Sequence, residues 1–76
     1  MNGADALERA KRVKRGHESS WLAISNVVSI GIGEIDNTAG IIIGVRNHPE
    51  SVREKVPPKI DGVPIVIKTV RELKAL

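Results

Sequence analysis

The stretch VVSIGIGEIDNTAGIIIGVR, residues 27–46, decides the fold. β-Branched residues and glycine fill its two halves, residues 27–35 and 40–46, and Asp36-Asn37-Thr38-Ala39 divides them. Branching at Cβ stiffens a side chain and suits it to a pleated surface, so the halves read as two strands of a hairpin. Strand side chains alternate between faces. One face therefore carries Val28, Ile30, Ile32, Ile41, Ile43 and Val45, and the other Ser29, Gly31, Gly33, Ile42, Gly44 and Arg46. With residues 36–39 as the loop, Ile35 faces Gly40, Ile32 faces Ile43, Ile30 faces Val45, and Gly31 meets Gly44. A slip by one residue would mix the faces, so the pattern itself argues for this parity.

A sheet face stripped of side chains lets another backbone, helix or ligand come close. Ser29, Gly31, Gly33, Ile42 and Gly44 are accordingly the candidate contact residues, and valine at Gly31 or Gly44 is expected to disturb assembly.

Upstream, Ala6, Ala10, Val13, His17, Trp21 and Ile24 recur at spacings of three and four, which predicts a helix over residues 4 to about 24 with one apolar stripe. Gly16 weakens it and is a candidate bend or break, and Asn26 stops it. Downstream, Asn47-His48-Pro49 opens a short helix to about residue 56, with Pro49 in the first position and Val52 and Val56 inward. Pro57-Pro58 ends it. Asp61-Gly62 makes a turn into a third strand over residues 63–70, where Pro64 must occupy a strand start or an edge.

The expected fold class is thus α+β, in the order α-β-β-α-β. It is a two-layer sandwich whose three-stranded antiparallel sheet has spatial order 2-1-3, the last strand beside the first and both helices on the aliphatic face. Residues 1–76 form one small domain, with residues 1–3 expected to lack fixed structure.

The 76-residue chain is 41% apolar, with Trp21 its sole aromatic and no cysteine. At this length a core supplies only about 3–5 kcal/mol, and disulfides and thiolate metal sites are both excluded. Oligomerisation is the reinforcement that remains, and a homodimer is expected. No apolar run reaches the ~20 residues of a membrane span, and no signal sequence opens the chain, so the expectation is a cytoplasmic protein without membrane contact. Net charge is +3, concentrated near the start: Arg9, Lys11, Arg12, Lys14 and Arg15 stand against Asp5, Glu8 and Glu18.

Asn26-Val27-Val28-Ser29-Ile30-Gly31-Ile32-Gly33, preceded by a basic helix, and Pro58-Lys59-Ile60-Asp61-Gly62-Val63-Pro64-Ile65-Val66-Ile67 together carry a family likeness. The chain resembles, over about residues 17–76, a small module found at the N-terminus of bacterial trypsin-like serine peptidases and in short proteins of unassigned function. That module's pattern is a helix, an NVVGVGVG strand, a second aliphatic strand, and P-x-x-I-D-G-V-P-V-x-V. Ser29 stands where the pattern favours glycine, and Arg71 stands near another position often held by glycine. The peptidase domain is not in this sequence, so the resemblance implies a non-catalytic accessory or assembly module and transfers no active-site residue.

Reactive groups do not converge. His17 lies on the apolar stripe and His48 precedes a proline, and neither has a second ligand at metal spacing. Ser51, His48 and Asp61 could be drawn as a triad, but no nucleophile elbow precedes the serine. Gly31-Ile32-Gly33 lacks the third glycine and the following helix of a dinucleotide fingerprint. No enzyme activity and no cofactor are therefore expected. The reading is a non-enzymatic module for self-association or protein docking. The rival is a nucleic-acid binder using Arg9, Arg12, Lys14 and Arg15, which lacks the sheet aromatics that stack bases.

Overall fold

The structure is a computed structural model that describes the backbone of residues 3–70 and the side chains of residues 5–70. It is α+β. Helix α1 (Gly3–Leu22) leads into the hairpin of β1 (Val27–Ile35) and β2 (Thr38–Val45), followed by α2 (Pro49–Arg53), β3 (Lys59–Ile60) and β4 (Val63–Thr69). The expectation of disorder over residues 1–3 falls on residues outside the described ones, save Gly3, which is already helical.

α1 runs unbroken through Gly16, because Ala10, Val13 and Trp21 on either side are all buried and tertiary packing outweighs one weak position. It ends two residues before the expected boundary. Asn26 then adopts φ 77°, the left-handed conformation that asparagine tolerates, and turns the chain into β1.

The hairpin keeps the expected faces but not the expected register. Its loop has two residues: Asp36 (φ 49°) and Asn37 (φ 66°) are both left-handed, as the turn best matched to strand twist requires. Ile35 therefore pairs with Thr38, Ile32 with Ile41, Ile30 with Ile43, Gly31 with Ile42, Gly33 with Gly40, and Ser29 with Gly44. The shift from the four-residue loop is an even number of residues, so parity survives and each large aliphatic stays on its face. Val28 is the exception. A bulge between Val27 and Ser29 turns Val27 toward the core and leaves Val28 43% exposed.

Sheet order departs further from expectation. The sheet has four strands in the order β1-β2-β4-β3, not three in the order 2-1-3. β4 lies parallel to β2, pairing Ile41 with Ile65 and Ile43 with Ile67, so the sheet is mixed. The reason lies in β2 itself. Ile41-Ile42-Ile43-Gly44-Val45 contains no polar side chain, and Ile41, Ile43 and Val45 are 0% exposed. Such a run suits an interior strand flanked on both sides, whereas Ser29 and Glu34 suit β1 to an edge. The additional strand, β3, pairs Ile60 with Val63 across Asp61 (φ 51°) and Gly62 (φ 79°).

The core lies on one side of the sheet. Ala10, Val13 and Trp21 from α1 meet Ile41, Ile43, Val45, Val63 and Ile65, with Val52 and Val56 closing the end near α2. Both helices therefore cover the aliphatic face, as the strand alternation implies. α2 is short; His48 occupies its N-cap in a left-handed conformation without a side-chain capping bond, and Pro49 follows it.

Candidate functional site

The face opposite the helices is the glycine-bearing one. Register places Ser29, Gly31, Gly33 and Ile35 of β1 beside Gly44, Ile42, Gly40 and Thr38 of β2, and Gly44 and Ile42 beside Lys68 and Val66 of β4. Among the described residues no helix lies on this side.

Its glycines are not equivalent. At Gly33 a Cβ would lie 2.6 Å from Cδ1 of Ile42, which leans across it. At Gly40 it would meet the carbonyl oxygen of Pro64 at 2.8 Å. At Gly44 it would collide with Oγ of Ser29 and sit 3.1 Å from Cγ1 of Val70. At Gly40 the backbone itself bars a Cβ, whereas at Gly33 and Gly44 the ends of the Ile42 and Ser29 side chains would have to move aside. Gly31 differs: no atom of the described chain lies within 4 Å of its would-be Cβ, and its φ is not positive. Neither sterics nor backbone conformation demands glycine there.

Of the five candidate contact residues, Ser29 and Gly44 therefore pack on each other, Ile42 folds over Gly33, and Gly31 alone is uncovered. The surface is a shallow platform, apolar at its centre and bordered by Ser29, Thr38 and exposed Lys68, whose relief has been flattened by its own side chains. Ile35, Pro64, Val66 and Val70 belong to the same platform, and the sequence reading omitted them. Pro64 and Val66 come from β4 and Val70 directly follows it; the position of β4 beside β2 was missed. The signal that could have found them is the unbroken apolar run of β2.

The four candidate nucleic-acid residues do not gather on one side of α1. Nη1 of Arg9 would lie 3.5 Å from a Cβ on Gly62, toward the β3–β4 turn. Lys14 and Arg15 line a groove beside Ile32 of β1. Arg12 is exposed. Lys14 is held by Glu18 at 3.0 Å, and Lys11 by Glu8 at 3.5 Å.

Both histidines have structural surroundings. His17 stacks on Trp21 with ring centroids 4.8 Å apart, and Nδ1 of exposed His48 lies 3.8 Å from Glu50. Ser51 Oγ donates to the carbonyl of His48 rather than to its imidazole. No group of three or more His, Cys, Asp or Glu placed to hold a metal occurs among the described residues, and no described helix is long and apolar enough to cross a membrane. No family model, curated protein or solved structure matches the chain.

Proposed function

We propose that this chain is a non-enzymatic module that associates with a second copy, or docks a protein, through its open sheet face. The observation that carries the reading is Gly31. Glycine inside a strand costs about 0.5–1 kcal/mol relative to alanine, yet nothing within the described chain requires it. A neighbour lying flat against the platform supplies a requirement. The apolar lining by Ile35, Ile42, Val66 and Val70, the last 40% exposed, supports the same reading. The likeness of residues 17–76 to a non-catalytic peptidase-associated module favours it too. A cytoplasmic setting, compatible with a cysteine-free chain, belongs to the proposal.

Gly31→Val is the clean test, because the Cβ it adds meets no atom of the described chain within 4 Å. Light scattering is expected to give a dimer for the parent and a monomer for the variant, with helix content by circular dichroism retained. A monomeric parent, or an unchanged dimer mass in the variant, overturns self-association. Gly44→Val cannot serve, since it would collide with Ser29 inside one molecule.

The nucleic-acid reading has less support, because Arg9 and Lys14 flank opposite sides of the helix. Its signature is a gel shift that weakens steeply with salt.

A further inference from the structure

We propose that the outer edge of β1, walled by α1, takes up an extended acidic segment of a partner protein as an added strand. This surface is separate from the glycine platform. β1 is a terminal strand of the sheet. Ile35 and Thr38 flank a two-residue turn, so they form the hydrogen-bonded pair that closes it, and Gly33, Gly31 and Ser29 share that inward direction. Ile30, Ile32 and Glu34 then direct their main-chain N–H and C=O groups outward, where no described strand pairs with them. An extended chain is the natural complement to such an edge.

Charge specifies what kind of chain. A groove of about 290 Å³ runs between α1 and this edge, lined by Lys11, Lys14, Arg15 and Glu18 above Ile32. Glu18 holds Lys14, while Arg15 makes no ion pair among the described residues. The groove therefore keeps an excess of positive charge. On an added strand, every second side chain would point to the helix side, so acidic residues at alternate positions beside Ile30 and Ile32 would meet these cations. Glu34 lies on the same side two residues on, and like charges directly opposite are unfavourable, so an acidic residue is excluded beside it.

The same charges argue against the other occupants. A second copy pairing edge to edge about Ile32 would set Lys14 and Arg15 of one molecule against their counterparts. A nucleic-acid backbone would answer the cations, but phosphates only accept hydrogen bonds and would leave the outward carbonyls unpaired.

The probe is a short fluorescein-labelled peptide alternating glutamate with threonine, titrated into the full chain at low ionic strength. One control replaces glutamate with lysine. A second replaces threonine with proline, which cannot donate to a ladder. Only the Glu–Thr peptide is expected to bind, with slowed amide exchange at Ile30 and Ile32, where its glutamates meet the cations and stop short of Glu34. Lys11→Gln and Arg15→Gln should each weaken binding by up to about fivefold, the scale of one screened ion pair, without altering the unfolding midpoint. The proposal is overturned if the proline peptide binds equally, if spectral changes stay confined to α1, or if an oligonucleotide binds in preference. Edge amides already protected in the free chain, which would mean a second copy occupies the edge, overturn it too.

Discussion

At the scale of single residues, the glycines separate into those the fold consumes and those it leaves exposed. Gly44 is filled by Ser29 and Val70, so Gly44→Ala must displace one of them. Overpacking of this kind costs about 1–3 kcal/mol. Gly16 is exposed, with nothing within 4 Å of its would-be Cβ, and lies inside an intact helix, so Gly16→Ala should stabilise by up to about 1 kcal/mol. Urea unfolding of the two variants should therefore move the midpoint in opposite directions. Equal midpoints would show that the Ser29–Gly44 contact does not constrain the strands. Which face each glycine occupies was legible in the sequence, because strand alternation fixes it. Which glycine is needed was not, since that depends on how far Ile42, Ser29 and Pro64 lean across neighbouring strands.

At the scale of elements, two short turns set the register. Asp36-Asn37 closes β1 on β2 and Asp61-Gly62 closes β3 on β4, all four residues having positive φ. A β-branched residue forced into that region strains the backbone, at a cost of about 1–3 kcal/mol. Asn37→Val should accordingly lower stability by that amount, while Asn37→Gly should hold or raise it; urea midpoints check both, and parity between the two would remove the strained-turn account. The turn residues were visible in the sequence, but their span was not, because Thr38 and Ala39 suit either a loop or a strand start. β3 was missed for a related reason: two residues after Pro57-Pro58 are too few to show alternation. The strand order failed because the hairpin was weighed by its faces alone. The contrast between a wholly apolar β2 and a β1 bearing Ser29 and Glu34 distinguishes centre from edge, and that contrast requires reading both faces together.

At the scale of the whole molecule, the question is how so small a core holds. Ile43 is fully buried at the centre of the sheet, and truncating such a residue to alanine costs about 2–5 kcal/mol. That matches the ~3–5 kcal/mol a core of this size supplies in all, so a monomer carrying Ile43→Ala would have almost nothing in reserve. Under the proposed self-association, burying the open face against a second copy would add stability that depends on protein concentration, because mass action favours the bound form. The thermal midpoint of the parent chain should therefore rise with concentration, and that of Gly31→Val should not. The comparison also separates assembly from intrinsic strand propensity. In a protein that stays monomeric, removing a strand glycine would leave both midpoints independent of concentration and place the variant's higher, since valine favours strands. In a protein that assembles through this platform, the variant should melt lower and the gap should widen as the chain is concentrated. Flat midpoints for both chains would mean that Ile35, Ile42 and Val66 face water without a partner, and the glycine platform would lose its assigned role.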